Sequence, residues 1–231
     1  MSADLDIFIV AYYAKAALSD TLQSIALWTS PSYRLSVYDN SVKNFPLSWL
    51  WNRFIEQSSR PFVALLNPDI VLSDGWASEA VACMTAHADC GVVAPVTNSA
   101  FHSKKFGGIA DLAFSPMDGK SIAEELSRNP MPRFSIFKEF QAVPGHCFII
   151  RREAWKKVSG FDEKIPFAGN DYDFSDRLIK ASMSVGVCLK AACYHKWNQS
   201  IKEGTALGTF DVIANCPKFS APPKGASFYS I

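Results

Sequence analysis

The first 95 residues alternate between short apolar segments and segments with helical periodicity. Residues 7–11 form a continuous apolar run, which is typical of a strand buried on both faces. Further strands are predicted at residues 35–38, 62–66 and 91–95. Between them, apolar residues recur every three or four positions, as in amphipathic helices. This alternation predicts βαβ units and therefore an α/β fold with a mainly parallel, Rossmann-like sheet flanked by helices.

Polar side chains follow two of the predicted strands directly. Asp39 follows the second strand, and Asn67 and Asp69 follow the third. Right-handed crossovers place the carboxyl ends of parallel strands at one edge of the sheet, where open α/β sheets bind ligands. Carboxylate oxygens at this edge suit Mg²⁺ or Mn²⁺, which in turn bind phosphates. Asn, Pro and Asp are also ordinary turn residues, so a structural turn at each place is the alternative interpretation.

The regular pattern breaks between about residues 97 and 140, where glycines and prolines predict mostly loop with one short helix near residues 121–128. The elements predicted after this loop are a strand at 143–151, a helix at 153–158 that Gly160 can end, a helix at about 171–181 and a strand at 185–189. The prolines after residue 201 predict an extended tail.

An acidic cluster begins the predicted helix at 171–181. Asp171 and Asp173 lie in its first turn, where carboxylates interact favourably with the helix dipole, so a structural role also explains them. Residues two positions apart cannot share one helical face, and we expect only one of the two to point towards a ligand. His195 follows the last strand, and a lone histidine is more often a structural residue than a metal ligand.

Composition excludes several classes of protein. The 231 residues carry 23 basic and 22 acidic side chains, and the formal net charge of +1 provides no broad basic face for nucleic acid. No segment approaches the ~20 apolar residues that span a bilayer, although peripheral contact with a membrane is compatible with the sequence. The N-terminus lacks a secretory pattern and the six cysteines lack Cys-x-x-Cys spacing, so we expect a cytoplasmic protein with reduced cysteines.

Four motifs occur in order along residues 5–200. They are Leu66-Asn-Pro-Asp69, Val143 to Trp155 followed by Gly160-Phe-Asp-Glu163, Gly169-Asn-Asp-Tyr-Asp-Phe174, and His195 with Ser200. This ordered set resembles the family-two inverting glycosyltransferases of the GT-A fold, closest to rhamnosyltransferase-like members. Three features depart from the family pattern. The glycine-rich stretch between the second and third strands is missing apart from Asn52, Asn170 replaces the usual glutamate, and His146 stands where a small residue is commoner.

The resemblance implies transfer of a sugar from a nucleotide-diphosphate sugar (UDP, dTDP or GDP) to an acceptor hydroxyl, with inversion at the anomeric carbon. A glycan or polysaccharide acceptor is expected. It also implies one domain over residues 1–231, with a nucleotide-binding half at about 1–95, an acceptor-binding half at 96–200 and a C-terminal tail at 201–231.

The residues in matching positions receive roles through the same resemblance. Asp171 corresponds to the catalytic base, and Asp69 with His195 to the ligands of Mn²⁺ or Mg²⁺. The implied donor-binding residues are Ala11, Tyr12, Asp39, Asn67 and Asp69. The implied acceptor-side residues are Gly145, His146, Asn170, Asp173 and Arg177.

Three other classes of protein share parts of this pattern. A nucleotidyltransferase typically has a glycine- and arginine-rich loop after the first strand, and residues 11–15 contain neither residue type. A dinucleotide oxidoreductase needs Gly-x-Gly-x-x-Gly in the same place, and this motif is absent. A non-catalytic nucleotide-sugar-binding domain with a degenerate site remains the alternative, because it would bind the donor without turnover.

Overall fold

A central β-sheet of eight strands organises the fold. The computed structural model describes residues 5–30, 32–99, 105–106, 115–207, 210–211 and 216–217. The strands of this sheet are β1 (Leu5–Ala11), β2 (Tyr33–Asp39), β3 (Phe62–Leu66), β4 (Ile70–Leu72), β5 (Cys90–Thr97), β6 (Phe134–Phe137), β7 (Cys147–Arg151) and β8 (Ser184–His195). A separate two-stranded ladder pairs β9 (Phe210–Asp211) with β10 (Cys216–Pro217).

The order of the strands is β2-β1-β3-β7-β5-β8-β4, and β6 also pairs with β8. Strands β1, β2, β3, β5 and β8 share one direction, because β7 is antiparallel to both β3 and β5 and the other pairs among the five are parallel. Strands β4, β6 and β7 run the opposite way. The predicted α/β fold with a mainly parallel sheet is confirmed.

Helices cover both faces of this sheet. In the described residues they are α1 (Lys15–Trp28), α2 (Leu47–Gln57), α3 (Trp76–Ala86), α4 (Gly119–Arg128), α5 (Arg152–Lys157), α6 (Asn170–Lys180) and α7 (Gln199–Ala206). Phe8 and Val10 pack with α2, α5 and α6 on one face, and Ile7 and Ile9 pack with α1 and α3 on the other. This two-sided burial explains the continuous apolar run of β1. None of these helices is both long enough and apolar enough to cross a membrane.

Several predicted boundaries differ from the structure. The strand predicted from residue 143 begins only at Cys147, because Pro144 has no N–H to donate to a neighbouring strand. The strand predicted at 185–189 extends to His195, with a register shift against β5. The predicted loop at 97–140 contains β6 as well as the expected short helix, α4. Helix α7 crosses the predicted start of the tail at residue 201, and most of the remaining tail lies outside the described residues.

The described cysteines are free thiols in the core, as predicted. They are Cys83, Cys90, Cys147, Cys188 and Cys193. A hydrogen bond with Cys188 and burial raise the pKa of Cys83 to about 12, so this thiol stays protonated and unreactive. The side chain of Cys216 lies outside the described residues.

Candidate functional site

Strand β4 brings together two residues that are far apart in sequence. It pairs antiparallel to β8, with Ile70 opposite His195. This register places Asp69, the residue before β4, beside the end of β8. Asp69 Oδ1 lies 2.9 Å from His195 Nε2, and both side chains are buried. The sequence predicts each residue as a site residue, but only the three-residue strand β4 explains why they meet.

The Asp69–His195 pair is held from several sides. Asn98 donates to the His195 carbonyl and accepts from its N–H, at 3.0 and 2.8 Å, which fixes the backbone at the imidazole. The Asn67 amide nitrogen lies 3.4 Å from His195 Nε2. The N–H of Gln199 donates to Asp69 Oδ2 at 3.4 Å, so the start of α7 also contacts the carboxylate. Asn98 and Gln199 are positioning residues that the motifs do not reveal.

The geometry of this pair fits a divalent cation. Ligands on neighbouring corners of an octahedron lie about 3 Å apart when each metal–ligand distance is about 2.1 Å. The 2.9 Å separation of Asp69 Oδ1 and His195 Nε2 is that of a hydrogen bond between the two side chains, and it also equals that edge. Among the described residues no further His, Cys, Asp or Glu completes a three-residue cluster. An ion here would therefore take its remaining ligands from water and from a bound substrate, as Mg²⁺ commonly does.

Asp171 begins helix α6 and faces the segment before β7. Its Oδ2 accepts the N–H of Gly145 at 2.9 Å, and its Oδ1 accepts the N–H of Tyr172 at 3.0 Å. Burial raises the pKa of Asp171 above its ordinary value, although these hydrogen bonds oppose the shift. A carboxylate with a raised pKa is a stronger base than an exposed one, so this group is suited to accepting a proton.

Two glycines allow this approach. A Cβ atom on Gly145 would lie 3.0 Å from both the Asp171 Cβ and the Phe148 ring, which leaves no room for a side chain. Gly169 has a φ of 86°, a left-handed conformation that glycine adopts without strain, and it starts helix α6 in this direction.

Aromatic rings connect the two halves of the site. The imidazoles of His146 and His195 stack with their centroids 4.6 Å apart, and the Trp197 indole lies 4.3 Å from His195. The carbonyl of His146 accepts the N–H of Asn67 at 2.9 Å, so the segment that holds Asp171 also contacts the end of β3. His146 thus packs against His195, and Gly145 links Asp171 to the same segment, but Gly145, His146 and Asp171 do not line the cavity beside the Asp69–His195 pair.

A cavity of about 210 Å³ opens beside this pair. Tyr12, Asn67, Asp69 and His195 line it, as the sequence predicts for ligand-binding residues. Its other lining residues are Val10, Asn40, Asn44, Phe45, Leu47, Trp51, Leu66, Pro68, Phe167, Trp197, Asn198, Ser200 and Ile201. Most of this lining is apolar, which spacing alone does not predict because these residues come from six separate segments.

Ala11 and Asp39 lie beside the cavity without lining it. The Ala11 carbonyl accepts the N–H of Asn40 at 2.7 Å. Asp39 is exposed, and its Oδ1 accepts the N–H of Ser41 at 2.9 Å as well as the Ser41 hydroxyl. This is the geometry of a side-chain turn, with the carboxylate still open to solvent.

Asn170, Asp173 and Arg177 make structural contacts. Asn170 donates to the Ser48 hydroxyl at 3.2 Å and accepts the N–H of Asp171. Arg177 forms a forked ion pair with Asp173 at 2.8 and 2.6 Å. The same guanidinium donates to the carbonyls at positions 158 and 160, which fastens α6 to the end of α5.

Asn52, the one remnant of the missing glycine-rich stretch, also has a structural position. Its Oδ1 accepts the N–H of Phe161 at 2.8 Å and the Trp155 indole N–H at 3.1 Å. It anchors the loop after α5 and lies outside the lining of the cavity.

Comparison with known proteins finds similar structures but no similar sequence among the family models and curated proteins. No protein-family model matches the chain, and no curated protein matches it. The crystal structure of GalNAc-T7 with UDP, GalNAc and Mn²⁺ matches with a TM-score of 0.60 and 11% identity, over 84% of this chain and 44% of that one. A structure of S. aureus TarS 1–349 matches with a TM-score of 0.55 and 15% identity, over 88% of this chain and 64% of that one.

A further structure of S. aureus TarS has a TM-score of 0.54 and 14% identity, and the match covers 88% of this chain and 38% of that one. This chain therefore spans less than two thirds of each of these three chains. The likeness is one of architecture, since identities of 11–15% carry no assignment of residues. The chain has the GT-A fold of these glycosyltransferase structures, as its ordered motifs predict.

Proposed function

We propose that this chain is a glycosyltransferase that moves a sugar from a nucleotide-diphosphate sugar to the hydroxyl of a glycan or another acceptor. The observation that carries the proposal is the Asp69–His195 pair, 2.9 Å apart beside a cavity at the carboxyl edge of a GT-A sheet. The GalNAc-T7 structure, which has the same fold, holds UDP, GalNAc and Mn²⁺.

Asp69 and His195 would hold a Mn²⁺ or Mg²⁺ ion, with Asn67 close to both. An ion held by these residues would supply positive charge against the negative charge that develops on the departing nucleotide diphosphate. The 2.9 Å edge between Oδ1 and Nε2 supports this assignment. Burial of the pair supports the assignment further, because the electrostatic attraction between a cation and a carboxylate is stronger where water is excluded.

The remaining donor contacts come from the ends of β1, β2 and β3. Tyr12 lines the cavity and would pack against the nucleoside, while Ala11 supplies the backbone next to it. Asp39 would accept hydrogen bonds from the base or the ribose, since its carboxylate is exposed and only partly engaged by Ser41. The nucleobase that Asp39 would contact is uracil in a UDP donor, thymine in a dTDP donor and guanine in a GDP donor.

Asp171 would act as the general base in a single displacement with inversion. Its carboxylate takes the proton of the acceptor hydroxyl as the acceptor oxygen bonds to the anomeric carbon and the bond to the diphosphate oxygen breaks. The raised pKa of Asp171 supports this role. Gly145 would orient the carboxylate through its N–H, and His146 would border the acceptor beside it.

Asn170, Asp173 and Arg177 would act on the acceptor side by positioning Asp171. Their hydrogen bonds connect the first two turns of α6 to α2 and to the end of α5. These contacts would fix the position of Asp171. Residues 1–95 would form the donor half of the domain and residues 96–200 the acceptor half.

The proposal is tested by a thermal-shift panel of UDP, dTDP and GDP, each with and without Mn²⁺. A ligand that binds only the folded state raises the melting temperature, so one nucleotide should stand out and should require the cation. Asp74→Ala is the matched control for substitutions of Asp69, because this exposed aspartate follows β4 and lies outside the lining of the cavity. The proposal is contradicted if none of the nucleotides raises the melting temperature. Binding without sugar transfer or hydrolysis supports the non-catalytic alternative.

A further inference from the structure

Trp197 is unusually exposed for an indole in this protein. It leaves 43% of its surface open to solvent, whereas Trp51 and Trp76 are 2% and 0% exposed. Those two rings fill the core, which is the ordinary use of tryptophan. The Trp197 ring contacts two imidazoles and also lines the cavity beside the Asp69–His195 pair. Packing of the core therefore does not explain its place.

The backbone at Trp197 is strained. Its φ is 51° and that of Asn198 is 61°, and a bulky side chain is rarely found in this left-handed region. The conformation is held by the N–H of Lys196, which donates to the Asp69 carbonyl at 2.8 Å, and by the Gln199 amide, which donates to the Trp197 carbonyl at 3.2 Å. Strain of this kind persists where the surrounding contacts over-determine it, and it concentrates at ligand-binding sites.

The position of the ring relates it to the acceptor side. Its centroid lies 4.3 Å from that of His195 and 5.7 Å from that of His146. His146 follows Gly145, whose N–H binds the carboxylate of Asp171. The exposed indole thus lies beside the candidate metal ligand and within ring contact of the segment that holds the candidate base.

We propose that Trp197 is a sugar-stacking residue, whose indole packs against the pyranose ring of the acceptor; this inference rests on the proposed function. A pyranose presents a face of C–H groups with partial positive charge, and the face of an aromatic ring is negative. Stacking therefore holds a sugar ring flat while its hydroxyl groups stay free to reach Asp171. The specificity that results is for a carbohydrate acceptor over a simple alcohol.

The test is ligand-observed NMR by saturation transfer, with the methyl glycosides of glucose, galactose, rhamnose and N-acetylgalactosamine as probes. The samples contain the full chain, Mg²⁺ and each of UDP, dTDP and GDP in turn. We expect at least one glycoside to receive saturation on the C–H protons of one ring face. Its dissociation constant should rise about tenfold in Trp197→Ala and stay within about twofold in Trp197→Phe, because phenylalanine keeps an aromatic face.

Two further variants make the result specific. Trp197→Gly removes the ring and relaxes the left-handed backbone, so it covers the case in which Trp197→Ala fails to fold. Phe140→Ala removes another exposed aromatic ring that lies in a separate groove with His87 and Lys105, and it should bind the glycoside as the wild type does.

Three results would overturn the inference: no glycoside binds the wild type, Trp197→Gly binds as tightly as the wild type, or Phe140→Ala weakens binding equally. Calorimetry of nucleotide binding on the same samples distinguishes failure of this inference from failure of the proposed function. Nucleotide binding without a sugar contact at Trp197 removes the stacking role alone. Sugar binding at Trp197 without any nucleotide binding removes the donor assignment and leaves the stacking residue in place.

Discussion

The surroundings of Asp171 favour proton transfer more than they favour the stability of helix α6. Its side chain is half-buried at the start of α6, and burial raises its pKa. Two backbone N–H groups, from Gly145 and Tyr172, orient the carboxylate and keep it partly compensated. A helix cap needs no such burial, because exposed Asp residues cap helices equally well. The residue is therefore better suited to accepting a proton than to supporting the helix.

Asp171→Asn should retain nucleotide binding and lose transfer by about 10²–10⁴-fold, since asparagine matches the size of aspartate but cannot accept the proton. Transfer assays and calorimetry on the purified variant measure the two effects separately. Asp176→Asn is the control, because Asp176 pairs with Lys180 on the same helix and should leave turnover nearly unchanged. Near-native turnover by Asp171→Asn would remove the base from this residue.

The stability of the wild type relative to Asp171→Asn should depend on pH. Because burial raises the pKa of Asp171 in the folded state, the folded protein holds the proton more tightly than the unfolded chain does. The wild type should therefore lose stability relative to the variant as pH rises through that raised pKa. The difference between the two melting temperatures should be smallest and stop changing well below about pH 4, where the carboxyl is protonated in both states. A difference that grows on acidification contradicts this assignment.

Asp39→Ala should weaken nucleotide binding by about 1.5–3 kcal/mol, the value of a hydrogen bond to a charged group. The fold should survive, because the carboxylate is exposed and, among the described residues, accepts hydrogen bonds from Ser41 alone. Calorimetry and thermal melting distinguish the two roles. An unchanged affinity with a large fall in melting temperature would show that Asp39 serves only the turn.

Arg177 is one of the residues that dock helix α6 against its neighbours. Arg177 makes two hydrogen bonds to Asp173 and donates to two carbonyls at the end of α5. Its side chain is 27% exposed, so much of this network is shielded from water. Because Asp171 lies in the first turn of the same helix, this docking also positions the candidate base.

Arg177→Met should lower the free energy of unfolding by about 1–3 kcal/mol, because the carboxylate of Asp173 and two carbonyls lose a charged partner. Urea denaturation measures the loss. Lys180→Met on the same helix should change stability by less than about 0.5 kcal/mol, since Lys180 is exposed and its pair with Asp176 is a surface ion pair. Equal effects of the two substitutions would contradict the docking role of Arg177.

Elements with strong periodicity are predictable from the sequence, and short or opposed strands are not. Strand β3 has its predicted bounds at Phe62–Leu66, because it is apolar throughout and a proline precedes it. Strand β4 has only three residues and follows Asn-Pro-Asp directly, so it looks like part of a turn. The antiparallel direction of β7 depends on its two neighbours in the sheet, and a single sequence contains no signal for that pairing.

The site as a whole depends on the topology of the sheet. Asp69 and His195 are 126 positions apart and meet only because β4 pairs with β8 at the edge of the sheet. The sequence predicts both residues as site residues through the order of the motifs. The cavity and the Trp197 ring could not be predicted, because their geometry depends on a left-handed turn that no residue type in Lys196–Gln199 demands.

The central claim is that Asp69 and His195 hold a cation that binds the nucleotide diphosphate. Calorimetry of the nucleotide selected in the thermal-shift panel, with and without Mn²⁺, tests it on wild type, Asp69→Ala, His195→Ala and the control Asp74→Ala. We expect Asp69→Ala to abolish cation-dependent binding, His195→Ala to weaken it, and Asp74→Ala to match the wild type. Full Mn²⁺-dependent binding by Asp69→Ala would contradict the account.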